Sequence, residues 1–259
     1  MSNQQTFFDF AAEVGITKHI GSLEATKALI ELCHISRGKY VLDVGCGVGA
    51  TPCFIAKKFG CRVVGVDILP EMVERSKERA RREGLIDQVE FRVADAQDLP
   101  FDDGLFDAVI TESVTAFPKD KQKAVDEYVR VTKRGGYIGL NESTWLKSPP
   151  PPELLAWASQ DLGANIGPLT SGDWTGLLAN AGLSEIITKT FAIDLRDEGK
   201  GMLRRYGWGG MLGIMGRMLS LYVASPAYRK FVKEVRENEI TPTNLEEYFG
   251  YGLYVGKKK

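Results

Sequence analysis

Neither charge sign is in excess in this sequence. Its 259 residues hold 33 basic and 34 acidic side chains, for a net charge of −1. Nucleic-acid-binding surfaces normally leave a basic surplus, so composition offers no electrostatic case for such a partner. Histidine is scarce, with only His19 and His34. Cysteine is limited to Cys33, Cys46, Cys53 and Cys61, which form no CxxC pair. Their spacing implies no zinc or disulfide framework, and no metal is expected. The most apolar stretch, 206–228, is cut by Arg217 into pieces well short of the roughly 20 residues of a membrane span. The first residues also lack the basic and then apolar regions of a signal peptide. Reduced thiols, a cytoplasmic location and no stable membrane insertion are the expectation. Hydrophobic residues at 44% and charged residues at 26% exclude a disordered chain.

What the sequence does contain is an alternation of strand-like and helix-like segments. Tyr40–Val44, Arg62–Asp67, Val89–Val93, Phe106–Thr111 and Tyr137–Leu140 read as strands. Thr51–Phe59, Pro70–Arg82 and Asp120–Thr132 read as helices, the second closed by Gly84 and the third by Gly135-Gly136. Such spacing predicts right-handed βαβ units and a mainly parallel sheet. After residue 145 come helical stretches near Glu153–Leu162, Asp173–Ala181 and 196–239, with strands over Ser184–Asp194 and Tyr248–Val255. The expected organisation is an N-terminal helical cap (1–35), a cofactor-binding core (36–145) and a C-terminal part (146–259). That last part completes the sheet and inserts lid helices.

Gly45-Cys46-Gly47-Val48-Gly49 ends the first strand and opens the first helix. Glycines let the backbone turn and approach a ligand, and a helix N-terminus offers N–H groups. The loop alone also satisfies a dinucleotide fingerprint, so a nicotinamide-dependent oxidoreductase is one reading. Three acids favour another. Asp43, two residues before Gly45, would repel a pyrophosphate and attract an amino group. Asp67 ends the second strand, 18 residues after Gly49, where a carboxylate commonly accepts from ribose hydroxyls. Asp95 follows the third strand, placed to accept from an exocyclic amine. A ligand with a nucleoside at one end and an amino-acid cation at the other fits all three.

The stretches VLDVGCGVG, VVGVD, ADAQDLPF, FDAVITES and KRGGYIGLNE resemble, in order, the motifs of class I S-adenosylmethionine-dependent methyltransferases. The similarity is strongest to the small-molecule branch with the quinone C-methyltransferases and the phosphoethanolamine and sterol methyltransferases. It implies an α/β, Rossmann-like three-layer sandwich with a seven-stranded, mainly parallel sheet and an antiparallel last strand. It implies S-adenosylmethionine as cofactor and S-adenosylhomocysteine as product. On this resemblance Asp43, Gly45, Cys46, Gly47 and Gly49 hold the methionine part and Asp67 the ribose. Ile68 packs on adenine, Asp95 and Ala96 read its edge, and Glu112 and Ser113 line the methyl-transfer end. The Asn/Asp-Pro-Pro-Tyr/Phe stretch of DNA N-methyltransferases is missing after the fourth strand, where Thr111-Glu112-Ser113 stands.

In-line methyl transfer depends mainly on alignment and dryness, and needs a base only for some acceptors. His19, in a polar turn ahead of the first helix, and Glu112 are the candidate catalytic residues. Trp145 is expected to form a substrate wall. Met211, Ile214, Met215, Met218, Leu219 and Tyr222 recur at helical spacing. This stripe is expected to pack against the sheet or a second subunit, to line an apolar acceptor pocket through Met211 and Met215, or to contact a membrane surface together with the Lys257–Lys259 tail, which by itself is ordinarily just solvated. A homodimer through the C-terminal helices follows from the first option, a lipid- or quinone-like acceptor from the second. A methyltransferase-like protein that binds the cofactor without turnover is a further alternative.

Overall fold

Alternation along the central strands sets up two apolar cores. In β1 (Tyr40–Val44), Val41 joins one cluster while Leu42 and Val44 join the other. β2 (Arg62–Asp67) and β4 (Phe106–Glu112) repeat the split, with Val63, Ala108 and Ile110 on the first side and Val64, Val66 and Val109 on the second. Strands buried on both faces require a helical layer on each. Leu29 and Ile30 of α1 (Ser22–Leu32), Ile55 of α2 (Ala50–Phe59) and Val73 of α3 (Pro70–Glu83) close the first core. Val125 and Tyr128 of α4 (Lys121–Val131) close the second, with α5 (Pro152–Asp161) packing apart from both. The computed structural model describes residues 10, 13–14, 21–161, 169–193, 195–238 and 244–259.

The remaining strands are β3 (Val89–Val93), β5 (Thr132–Trp145), the two-residue β6 (Leu169–Thr170), β7 (Ser184–Ala192) and β8 (Phe249–Lys257). Along the sheet the order is β3-β2-β1-β4-β5-β8-β7, with β6 paired to β5 off this path. β1 to β5 are parallel, and β8 runs antiparallel to both β5 and β7, as the resemblance implied. Strand order reverses between β1 and β4, and ligands of open α/β sheets bind at that crevice. α6 (Ser171–Asn180) enters through a Thr170/Asp173 capping box and buries Trp174 and Leu178 in the second core. The C-terminal helices are α7 (Leu195–Ala224), α8 (Pro226–Asn238) and the short α9 (Leu245–Tyr248).

Two expectations are corrected here. Gly135-Gly136 does not close α4. The chain passes directly into β5, and the glycines form an irregularity where the register with β4 jumps between Phe106–Thr132 and Ala108–Tyr137. β5 does not end at Leu140. Pairing with β8 carries it to Trp145, opposite Phe249. The helices expected between about residues 196 and 239 are α7 and α8, divided at Ser225-Pro226, and α7 itself breaks at Gly207.

Candidate functional site

The glycine loop is fastened to the second strand before any ligand is considered. The N–H groups of Gly45 and Cys46 both donate to the Val66 carbonyl, at 2.7 and 2.9 Å. Gly45, Gly47 and Gly49 all have positive φ, between 54° and 72°. A Cβ on Gly45 would lie 2.2 Å from Cγ2 of Val114, so glycine there lets the loop after β4 close against the turn. From α3, the Ser76 hydroxyl donates to the Gly47 carbonyl at 2.7 Å and Arg79 Nε to that of Val48 at 2.8 Å. Neither residue carried a signal in the sequence, since each lies on a helix about 30 residues from its partner.

Asp67 is half-buried at the end of β2. Its Oδ2 accepts from the Gly47 N–H at 2.9 Å and its Oδ1 from the Leu69 N–H at 3.0 Å. Burial nonetheless raises its pKa, against those backbone donors. Each oxygen retains a lone pair beyond the bond it accepts, which suits a pair of ribose hydroxyls. Asp43 is buried in β1, and the Cys46 thiol lies close enough to sense both acids. Burial first, then Asp43 and Asp67, push that thiol up. The Cys46 side chain packs in the first core. Cys33, Cys53 and Cys61 are likewise free and buried. Among the described residues no group of three or more histidines, cysteines and acids is arranged to hold a metal.

Ile68 follows Asp67 with its side chain largely exposed, as a residue offering an apolar surface to a planar base must be in the free protein. Asp95 folds its own turn, its Oδ1 accepting from the Gln97 N–H at 2.8 Å, and Ala96 packs at the border of the second core. The turn sets this carboxylate beyond the end of β3, on the same sheet edge as Asp67. A glycine turn that a Cβ would fill, a buried acid for an ammonium and a half-buried acid for a diol are the donor and acceptor set that S-adenosylmethionine requires.

Glu112 is buried at the end of β4 between two helices. Its Oε1 accepts from Thr26 Oγ1 of α1 and its Oε2 from Thr51 Oγ1 of α2, both at 2.8 Å. The carboxylate thus links the cap helix to the helix that the glycine loop opens. Ser113 has φ +58 and donates its N–H to the Asn141 carbonyl at 2.7 Å, fixing the turn after β4. Below it Glu142 is fully buried. Its Oε1 accepts from the N–H groups of Val114 and Thr115, at 3.0 and 2.7 Å, while Oε2 has no partner among the described residues. Burial raises the Glu142 pKa despite those donors.

His19 lies outside the described residues. Trp145 is buried in a third apolar cluster with Leu154, Ile193 and Phe249, its ring edge-on to Phe249 at 5.7 Å. It is a packing residue there because β5 runs on past the sheet edge. Of the methionine stripe only Ile214 is buried. Met211 is half-buried, and Met215 points to the surface instead of into a pocket.

A family model described as a methyltransferase domain matches residues 42–140. An uncharacterized protein of Haemophilus influenzae is 31% identical over 218 residues, 83% of this chain and 86% of that one. The chloroplastic tocopherol O-methyltransferase of Arabidopsis thaliana is 41% identical over 100 residues, 39% of this chain and 29% of that enzyme. Among solved structures, phosphoethanolamine N-methyltransferase 2 of Haemonchus contortus, bound to phosphomonomethylethanolamine and S-adenosylhomocysteine, aligns with a TM-score of 0.71. The identity is 18%, over 99% of this chain and 58% of that one, a likeness of fold. The chain spans well under two thirds of the named enzymes' length.

Proposed function

The chain belongs to the class I S-adenosylmethionine-dependent methyltransferases, and we propose that it methylates an apolar, lipid- or quinone-like small molecule in the cytoplasm. The observation that carries the donor assignment is the Asp67 carboxylate, held between the Gly47 and Leu69 N–H groups at the mouth of the glycine loop. When bound, S-adenosylmethionine supplies an electrophilic methyl group on a sulfonium for in-line displacement. Asp43 holds the amino end by charge, and Asp67 holds the ribose. Ile68, Asp95 and Ala96 receive the base. The turn after β4, fixed by Ser113 and Glu142, shapes the transfer end.

Catalysis by this arrangement is chiefly alignment in a dry site. Both Glu112 oxygens already accept threonine hydroxyls, which supports a positioning role: the carboxylate keeps α1 seated on the glycine loop. For an acceptor that must lose a proton, His19 is the proposed base. Met211, half-buried on α7, supports an apolar acceptor, and tocopherol, for which the Arabidopsis relative is named, is a molecule of that class.

Calorimetric titration with S-adenosylhomocysteine, with NAD and NADP in parallel, tests the donor. Binding of S-adenosylhomocysteine alone is expected. Asp67→Ala should weaken it at least tenfold, since hydrogen bonds to a charged acceptor contribute about 1.5–3 kcal/mol each. Nicotinamide binding would overturn the reading. A screen with labelled donor against phenolic, quinol and amine acceptors then tests the acceptor. Label in an amine alone would refute the apolar class, and cofactor binding without label in any acceptor would favour a protein that does not turn over.

A further inference from the structure

The stretch from Ala94 to Phe101 carries Asp95 and Ala96, which receive the base in the methyltransferase reading. Two half-buried residues of α4, one helical turn apart, grip its far end. Glu127 Oε2 accepts from the Leu99 N–H at 2.8 Å, and Arg130 Nη2 donates to the Leu99 carbonyl at 2.9 Å. Arg130 Nη1 donates to the Phe101 carbonyl at 2.7 Å and to Asp103 Oδ1 at 2.8 Å. The pair also locks itself, Arg130 Nε to Glu127 Oε1 at 2.6 Å and Nη2 to Oε2 at 2.8 Å. Such a bidentate fork is planar and rigid, so it fixes direction as well as distance.

A half-exposed ion pair contributes little to stability in itself. What this one fixes is the Leu99 backbone, gripped at its N–H and its carbonyl alike. Four residues earlier stands Asp95, with the Asp98 N–H donating to its carbonyl at 3.1 Å. Gln97 makes a second link. Its Oε1 accepts from the Asp120 N–H at the start of α4, at 3.1 Å, and its Nε2 donates to Asp95 Oδ1 at 3.2 Å. At the other end the Ala94 N–H donates to the Asp67 carbonyl at 3.0 Å. The stretch is thus strung between the acid proposed for the ribose and a helix that touches no part of the cofactor in that reading. A carboxylate that reads one amine must be held to within about 0.5 Å by the groups behind it.

We propose that Arg130 and Glu127 are positioning residues for base recognition, holding Leu99 so that Asp95 meets the exocyclic amine of adenine. The inference rests on the methyltransferase reading and adds to it what sets the choice of base. Calorimetry of the full chain tests it with three ligands. They are S-adenosylhomocysteine, S-inosylhomocysteine, in which a carbonyl replaces the amine, and methylthioadenosine, which lacks the amino-acid end. The parent should prefer the adenine form to the inosine form by about tenfold or more. Arg130→Gln should weaken S-adenosylhomocysteine about tenfold and shrink that preference to about threefold or less. The ratio of S-adenosylhomocysteine to methylthioadenosine affinity, which reads the amino-acid end, should stay within about twofold of the parent's. Should Arg130→Gln fail to fold, Glu127→Gln takes its place, since it keeps an oxygen for the Leu99 N–H and removes the charge that holds the arginine. An unchanged base preference in a folded variant, or equal losses in both ratios, would overturn the proposal. So would a parent that binds both base forms equally. A parent that binds none of the three ligands would refute the methyltransferase reading itself, and this inference with it.

Discussion

Glu142 shows how one buried carboxylate holds the floor of the site. It presents Oε1 to two backbone N–H groups of the turn after β4, and burial raises its pKa. A carboxylate whose folded pKa lies above its unfolded value contributes fully to stability below the unfolded value. That contribution is lost as pH rises through the folded value. Glu142→Gln keeps a carbonyl oxygen for the same donors and cannot ionise. Its stability relative to the parent is therefore expected to rise from acid to neutral pH, as urea unfolding at a series of pH values would show. Glu142→Leu orphans both N–H groups, at about 1–3 kcal/mol each, at every pH. A pH-independent difference for the glutamine variant would refute this account. Asp43, Asp67 and Asp95 were legible in the sequence because each sits at a fixed offset from a strand end or a glycine. Glu142 was not, because its task depends on a turn 27 residues earlier in the chain that only folding brings to it.

At the scale of elements, the N-terminal part of the chain is held by contacts from three directions. Thr26 of α1 donates to Glu112, and Arg75 of α3 donates to the Glu13 carbonyl at 2.5 Å. Arg217 of α7 donates to the Val14 carbonyl, while Phe10 packs edge-on to Tyr228 of α8 at 5.2 Å. Thr26→Val removes one hydroxyl from a buried carboxylate and should cost about 1.5–3 kcal/mol. Arg217→Ala leaves the sheet untouched and frees only the clasp. It should accelerate proteolysis near the N-terminus and release of S-adenosylhomocysteine, with a change in Tm of at most a few degrees. A large fall in Tm with unchanged release would show the arginine to be purely structural. The sequence suggested an N-terminal cap but none of these contacts, since arginine–carbonyl pairs leave no periodic trace. Periodicity did announce α7. It could not say which side of the helix faces inward: Ile214 is buried, while Met215 and Leu219 are exposed.

Across the whole molecule, the antiparallel β8 closes the architecture. It lies between β5 and β7, supplying Leu253 and Val255 to the first core and Tyr254 to the second. Past it, the Lys258 ammonium donates to the carbonyls of Val129 and Thr132, both at 2.7 Å, and so caps the end of α4. The C-terminal tail thus ties two layers together. Two glycines separate this demand from generic chain entropy. A Cβ on Gly250 would stand 2.0 Å from the Phe191 carbonyl oxygen, a backbone atom of β7 that moves only if the strands part. A Cβ on Gly176, within α6, meets nothing within 4 Å. Gly176→Ala should therefore stabilise by about 0.5–1 kcal/mol, the usual gain for alanine inside a helix. Gly250→Ala should destabilise by more than about 3 kcal/mol, with β7 and β8 the first amides to lose protection in hydrogen exchange. Equal effects from the two substitutions would mean that β8 is not the strand on which both cores depend.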